Sequence, residues 1–295
     1  IFPRIIFPIK TDRFIPKYMS PSTSATVGFT NQNNIGLDRQ NINFIYNYRW
    51  NPKVKITNNL NLLNIQFVRN LNPENYYNVY TSSYNILNDI AVNSGYNFED
   101  TENQQLIIPE ETNSFIRLAL GENNELGLSA EDQNEILSII ERQQRLSENN
   151  LIFAMNYTWT RDTRENIEDN SFYRVRLKIE SAGLITNEIA KAFGAKKDTL
   201  GSYVINNVAF SQYVKAEAEY IKHWDLNSQN ILAFRSFMGI AIPYGNSTSI
   251  PFTRSYFAGG GNDNRGWQAY NLGPGSSGGV LDFNEANFKI TLNGE

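Results

Sequence analysis

The chain has 295 residues and contains no cysteine, which excludes disulfide bonds, thiolate metal ligands and a cysteine nucleophile. It has a single histidine, His223, so a multi-histidine metal site is excluded and a histidine-based triad would depend on this one residue. The glycines at 259–261 are not followed by the Gly-Lys-Ser/Thr sequence that a phosphate-binding loop needs. We therefore expect no metal and no other cofactor, and we do not expect an enzyme.

A large excess of charge of one sign is also missing, and so are long apolar runs. The formal net charge is −4, which provides no basic surface for nucleic acid. No apolar run approaches the roughly 18 residues of a transmembrane helix. This absence does not exclude a membrane β-barrel, because the strands of such a barrel alternate apolar and polar residues.

The chain is rich in aromatic residues, with 18 Phe, 16 Tyr and 4 Trp, and many segments alternate apolar and polar residues. In the segment 173–180, for example, one face carries Tyr173, Val175, Leu177 and Ile179. Such alternation is typical of strands with one apolar face. It predicts an all-β fold with strands at 24–29, 42–50, 60–69, 151–160, 173–180, 213–221 and 231–242, and a further strand that begins near residue 287.

Strands with one apolar face fit either a soluble sandwich or a membrane barrel with a polar lumen. Strands of nine or ten residues favour the barrel, because a tilted membrane strand needs about 9 to 11. Trp50, Trp159 and Trp224 all lie at the strand ends next to predicted short turns, where an aromatic girdle would lie. We therefore predict a transmembrane antiparallel β-barrel.

The lengths of the connections support this prediction. Short connections at 51–58, 161–171 and 224–230 alternate with long ones at 70–150, 184–208 and 243–285, and only the predicted turn at 33–36 breaks the alternation. Outer-membrane barrels have short periplasmic turns and long extracellular loops. The long connections are therefore expected on the extracellular side.

The first long connection, at about 71–149, is rich in Asn and Glu and lacks the strand pattern. It contains one predicted helix at 130–147, with Ser129 as the N-terminal cap and an apolar stripe that includes Ile136 and Ile140. We expect a helix-containing extracellular insertion, either packed over the barrel mouth or exposed to solvent.

Charged residues alternate along the polar faces of three predicted strands. They are Arg174, Arg176, Lys178, Glu180, Lys215, Glu217, Glu219 and Arg235. The carboxylates alone could imitate a glycosidase pair. Because cations lie on the same side, we interpret the set as a salt-bridge network in the barrel lumen.

The last long connection, at about 243–285, is rich in glycine and contains aromatic residues that need a surface to pack on. Such a long ordered loop is unusual in a compact fold unless it has a function. We expect the backbone to be shaped by Gly259, Gly260, Gly273, Pro274 and Gly275, which permit tight folding.

Three strings in this loop resemble the bacterial surface-antigen family of outer-membrane barrels, which includes the BamA and TamA assembly proteins. They are Tyr256-Phe257-Ala258-Gly259-Gly260, Arg265-Gly266-Trp267 and Leu272-Gly273-Pro274-Gly275. The stretches Glu148-Asn149-Asn150-Leu151-Ile152-Phe153-Ala154 and Glu180-Ser181-Ala182-Gly183 are similar to the TamA-like (TamL) branch of Bacteroidota.

The resemblance implies a 16-stranded barrel of which residues 1–295 form a central portion, with POTRA domains before it and about four strands after it. It implies that the glycine-rich loop is the sixth extracellular loop and folds back into the lumen. There Arg265 would be the docking cation, Gly266 would allow close backbone approach and Trp267 would be the docking aromatic. Asn264 departs from the family, which more often has Val or Ile at that position.

The implied location is the outer membrane of a Gram-negative bacterium of the Bacteroidota. The implied partners are the outer-membrane lipid bilayer, nascent outer-membrane proteins and accessory assembly proteins, and the implied function is insertion of other barrels or a related translocation. Two alternatives stay open: a passive channel or two-partner secretion transporter, and a soluble carbohydrate-binding β-sandwich.

Overall fold

The computed structural model describes residues 1–7, 11–32, 38–121, 125–184, 204–205, 208–227, 230–245, 247, 249–261, 263–267 and 286–294. Most of these residues belong to strands. The strands are β1 (Ser22–Gln32), β2 (Arg39–Lys53), β3 (Ile56–Asn70), β4 (Asn150–Asp162), β5 (Tyr173–Ala182), β6 (Val204–Ile205), β7 (Val208–Ala209), β8 (Tyr213–Asn227), β9 (Asn230–Pro243) and β10 (Phe288–Gly294).

Eight of the strands form one sheet in the order β1-β2-β3-β4-β5-β8-β9-β10, and every neighbouring pair is antiparallel. The remaining two, β6 and β7, form a separate two-stranded ribbon. Seven strands of the large sheet have 10 to 15 residues, which is enough to cross a bilayer. This meander is a part of an up-and-down β-barrel, as the alternation predicted.

One face of the sheet is apolar and exposed. The register places Leu177, Ala218, Met238 and Ile290 in one row across four strands. Along this face Val27 is 76% exposed and Ile290 is 55% exposed, and many other large apolar side chains are exposed too. Exposed apolar area of this extent marks a surface that another apolar phase covers, and in a barrel that phase is lipid. We call this face the outer wall and the opposite face the inner wall.

The connections alternate as expected. Val54 and Lys55 separate β2 from β3, and residues 163–172 separate β4 from β5, whereas residues 71–149 separate β3 from β4. Trp50 and Trp159 both lie beside Asn58, and Trp224 lies opposite Leu232, all in the strand halves next to the short connections. The turn predicted at 33–36 falls outside the described residues.

A soluble sandwich needs a second sheet that covers the apolar face. Among the described residues, the one sheet besides the meander is the β6–β7 ribbon, which has two residues in each strand. The ribbon is far too small for that role, so the sandwich alternative does not fit this fold.

The insertion at 71–149 is more helical than predicted. The predicted helix is present as α4 (Ala130–Ser147), and the Ser129 hydroxyl accepts a hydrogen bond from the Asp132 amide at 3.1 Å. The prediction of a single helix was incomplete, because the structure also contains α1 (Tyr76–Val79), α2 (Thr81–Asn93) and α3 (Glu110–Ala119). Ser, Asn and Tyr in these segments are weak helix formers, so tertiary packing stabilises what local propensity does not predict.

The helices of the insertion enclose their own apolar core. Fully buried side chains from all four helices meet there, among them Tyr76, Leu87, Phe115 and Ile136. Glu111 is buried as well, and its carboxylate accepts hydrogen bonds from the amides of Glu99 and Ile107, each at 2.9 Å. Among the described residues, no helix is both long and apolar enough to span a membrane. The assignment of residues 1–295 to one barrel domain stays a prediction.

Candidate functional site

The inner wall carries charged residues of both signs in facing positions. The register pairs Arg176 with Glu219, Lys178 with Glu217, and Glu180 with Lys215. Period-two strands bring every second side chain to the same face, so all six project to the inner wall. Opposite charges on facing residues stabilise the pairing of β5 with β8.

These residues form a connected ion-pair network. Lys178 Nζ lies 3.0 Å from Glu180 Oε2, and Lys215 Nζ lies 3.2 Å from Glu217 Oε1. Arg235 donates from Nε and Nη2 to the same Glu219 oxygen, at 2.9 Å and 2.7 Å. Arg176 lies within 4 Å of both Glu217 and Glu219 and so joins the two halves. Seven of the eight predicted charged residues therefore form ion pairs with one another on the inner wall, and their role in a barrel lumen stays a prediction.

The most constrained member of the network is Glu180, whose side chain is 0% exposed. Its carboxylate accepts a hydrogen bond from the Tyr213 hydroxyl at 2.7 Å and lies 3.5 Å from Arg254 Nη1. An unpaired buried carboxylate would be strongly destabilising, whereas this one has two cations and a hydroxyl donor. Arg254 was not among the predicted site residues, because its contact depends on the path of the loop.

Arg254 belongs to the long loop after β9, which folds back onto the inner wall. A short 3-10 helix, Phe252–Arg254, precedes Tyr256, whose ring packs directly on Gly239 of β9. A Cβ atom at Gly239 would lie 2.5 Å from the Tyr256 hydroxyl oxygen, so only glycine permits this approach. Lys215 Nζ donates to the Arg254 carbonyl at 2.8 Å and lies 4.1 Å from the Tyr256 ring centroid.

The Tyr256 hydroxyl acts as a neutral donor in this site. Burial, and after it the charge of Glu217, raises the pKa of the Tyr256 phenol above its ordinary value. The hydroxyl donates to Glu217 Oε1 at 3.4 Å. The ring and its hydroxyl therefore anchor the loop to both β9 and β8.

A second anchor holds the loop to β10. Asp263 Oδ2 lies 2.9 Å from Lys289 Nζ and also accepts the Gly259 amide at 3.0 Å. Lys289 donates to the Phe257 carbonyl at 2.6 Å, and Asn293 Nδ2 donates to the Asp263 carbonyl at 2.6 Å. Neither Asp263 nor Lys289 was predicted as a site residue, since nothing in the local pattern relates them.

The loop also contacts the helical insertion. Phe252 packs against the apolar core of the insertion, and the Arg39 guanidinium lies 4.7 Å from the Phe252 ring centroid. Arg39 donates to the Leu146 carbonyl at the end of α4 and to Asn70 Oδ1 on β3, both at 2.8 Å. The insertion, the loop and the wall therefore meet at Arg39.

The predicted tip residues Arg265, Gly266 and Trp267 form a turn, in which the Trp267 amide donates to the Asn264 carbonyl at 3.0 Å. All three are exposed, Trp267 by 52%. The predicted docking surface is on strands beyond this chain, so the docking role of the tip stays a prediction. Gly259 and Gly260 have positive φ angles, as tight folding requires, whereas 273–275 lie outside the described residues.

Arg174 and His223, which the sequence analysis singled out, both lie at the short-turn end of the sheet. Arg174 is exposed at the short-turn end of β5, and the ion pairs among the described residues do not include it. His223 stacks on Phe172, with ring centroids 4.5 Å apart, at the same end of the sheet. The part of the chain that the structure describes contains no cluster of three or more residues suited to hold a metal ion.

Between the loop and the inner wall lies a cleft of about 470 Å³. Its lining includes Arg176, Glu217, Arg235 and Lys289 from the wall and the loop backbone at 259–261. The charged groups around it are engaged with one another, which is the arrangement of a structural network and not of a free acid and base pair.

The described residues thus form a wall of long antiparallel strands with an apolar outer face, and a loop is folded against the charged inner face. A model of the Omp85 superfamily domain matches residues 13–288. The chain belongs to the Omp85 superfamily.

The fold of this Omp85 chain is similar to the crystal structure of BamA from Haemophilus ducreyi lacking POTRA domains 1-3. The TM-score is 0.51 at 12% sequence identity, and the match covers 94% of this chain and 41% of that chain. The chain thus spans less than half the length of that BamA chain. A search of curated proteins gives no match. The family resemblance is confirmed, and the assignment to the TamL-like branch of Bacteroidota stays a prediction.

The burial of Glu180 leads to a first prediction. Replacing it by glutamine leaves Lys178 and Arg254 near a neutral group, and we expect a loss of about 3 to 5 kcal/mol in the free energy of unfolding. Denaturant titration of the full-length protein in micelles, read from heat-modifiable gel migration, measures this loss. Combined with Arg254→Gln, the loss should be clearly smaller than the sum of the two single effects.

The matched control is Glu165→Gln, which makes the same chemical change in the exposed pair with Lys55. We expect it to cost at most about 1 kcal/mol. Equal losses for Glu180→Gln and Glu165→Gln, or additive losses for Glu180→Gln and Arg254→Gln, would contradict the described role of Glu180.

The close packing at Gly239 leads to a second prediction. Gly239→Ala should displace Tyr256 and release the loop, so that limited proteolysis cuts residues 250–260 at least about tenfold faster. Gly261→Ala is the control, because no atom lies within 4 Å of a Cβ atom at that position. Identical cleavage rates in the two variants would show that Tyr256 does not hold the loop.

Proposed function

We propose that this Omp85 chain forms the central part of a 16-stranded barrel that inserts and folds other outer-membrane β-barrels, or performs a closely related translocation. The observation that carries the proposal is the double anchorage of the long loop on the inner wall. Arg254 and Tyr256 attach it to β5, β8 and β9, and Asp263 attaches it to β10. The loop therefore acts as an internal strut across neighbouring strands.

A strut of this kind fits a barrel that works at a strand edge. In the proposed mechanism, a weakly paired seam between the first and last strands of the complete barrel offers backbone N–H and C=O groups to a strand of the substrate protein. Opening of the seam removes hydrogen bonds that would otherwise hold the wall. The anchored loop compensates by holding four neighbouring strands of the wall in register, and no covalent chemistry is required.

The exposed tip belongs to the same proposal. Arg265, Gly266 and Trp267 are proposed to dock on the inner face of strands that follow this chain, with the guanidinium paired to a carboxylate or to carbonyl groups. A planar guanidinium is suited to such a buried contact. Docking of the tip would extend the strut across the lumen, from the described wall to the opposite one.

The proposed setting is the bacterial outer membrane, with the lipid bilayer against the outer wall. The proposed partners are nascent outer-membrane proteins and accessory assembly proteins. The alternative of a passive channel has less support, because the loop covers part of the inner wall and the helical insertion contacts the long-connection end of β2 through Arg39.

The tip provides the third prediction. In cells depleted of the native protein, full-length Arg265→Ala should restore the folding of a reporter barrel at least about tenfold less efficiently than the wild type, because the strut loses its distal contact. The amount of protease-resistant folded reporter in the outer membrane measures this effect. Arg174→Ala, an exposed arginine on the rim, is the matched control and should behave as the wild type.

Two results would contradict the proposal. One is full activity of Arg265→Ala. The other is a steady pore conductance of the purified wild-type protein in planar bilayers together with normal reporter folding in its absence, which would indicate a channel.

A further inference from the structure

The segment before β1 packs against the outer wall at the short-turn end. Phe2 and Thr23 exchange backbone hydrogen bonds of 2.8 Å and 2.9 Å. The carbonyl of Ile6 accepts hydrogen bonds from the hydroxyls of Tyr46 and Tyr48, at 3.0 Å and 2.7 Å. Residues 1–7 are therefore fixed on the same face that carries the lipid-facing side chains of β1 and β2.

This segment exposes large apolar side chains at the short-turn end of β1 and β2. Phe14 and Tyr18 are 79% and 76% exposed, and Phe2 is 54% exposed. Aromatic residues with this exposure are costly in water and favourable at a membrane–water interface. The surface is continuous with the outer wall, which supports lipid as its neighbour.

The same segment has an excess of positive charge. Its described part contains the exposed residues Arg4, Arg13 and Lys17 and one carboxylate, Asp12. Cations at the neighbouring short turns have protein partners, as Lys55 has with Glu165 and Arg164 has with two backbone carbonyls. Within the described residues, the side chains of Arg4 and Lys17 have no such partner, so they can contact an anion outside the protein.

A groove of about 670 Å³ lies between residues 1–5 and 12–22. Its lining combines the two cations Arg4 and Lys17 with the carboxylate Asp12 and a mainly apolar surface that includes Ile5, Ile15 and Pro21. An elongated molecule with an anionic head and an apolar chain matches this lining, whereas a free phosphate ion would leave the apolar part uncovered.

We propose that this groove binds an anionic glycerophospholipid, with the phosphate group at Arg4 and Lys17 and an acyl chain on the apolar lining. Binding fixes the short-turn end of β1 and β2 in the bilayer interface. The site is separate from the loop on the inner wall, and it would exist whether the barrel assembles proteins or conducts ions.

The test uses the full-length protein in detergent micelles and native mass spectrometry. Dimyristoyl phosphatidylglycerol and dimyristoyl phosphatidylcholine are titrated separately, because they share acyl chains and differ in head-group charge. We expect the wild type to bind the anionic lipid more tightly, with each cation contributing roughly fivefold. Arg4→Gln combined with Lys17→Gln should weaken phosphatidylglycerol binding by roughly 25-fold and weaken phosphatidylcholine binding much less, because the choline cation offsets the phosphate charge.

The matched control is Lys55→Gln combined with Arg164→Gln, which removes the same two kinds of charge at other short turns on the same rim. It should retain the preference for phosphatidylglycerol, and both double variants should keep heat-modifiable migration. Equal binding of the two lipids by the wild type would overturn the proposal. An equal loss in both double variants would also overturn it, since that result indicates attraction by net charge alone.

Discussion

The burial of one carboxylate, Glu180, is the constraint on which the site depends. A charged group with no exposed surface requires cations and donors around it, and these come from β5, β8 and the loop after β9. The requirement explains why the wall bears alternating charges and why Arg254 must lie against it. Because the outer wall faces lipid, polar side chains find hydrogen-bond and ion-pair partners only on the inner wall. The loop provides some of these partners, such as Arg254.

The loop, the insertion and the wall are connected through few side chains. Glu180 and Tyr256 connect the loop to the wall, and Arg39 with Phe252 connects it to the helical insertion. A displacement of the insertion would therefore also displace the loop, which contacts strands β5, β8 and β9. This connectivity suits a barrel whose wall must stay in register while one of its edges opens.

Period-two alternation was sufficient to predict the eight strands of the large sheet, the outer wall and the charged inner wall, since the two faces of each strand meet different environments. It did not predict β6 and β7. The helix α4 was predictable from its Ser129 cap and apolar stripe. The helices α1 to α3 were not predictable, because side chains such as Tyr77 and Phe115 stabilise them only when they pack in the folded core of the insertion. The anchors Arg254, Asp263 and Lys289 were missed for a related reason. Their contacts join residues that are distant in sequence, and no local pattern reveals the path of a glycine-rich loop.

The most direct test of this account asks whether the loop stays on the inner wall while the barrel works. Because this chain lacks cysteine, Asp263→Cys and Lys289→Cys introduce one thiol pair into it, at two side chains that contact each other. A short bifunctional thiol reagent applied to cells should join them in the full-length protein, and reporter folding should continue at the uncrosslinked rate. Absence of the crosslink, or arrest of reporter folding once it forms, would contradict a loop that acts as a fixed internal strut.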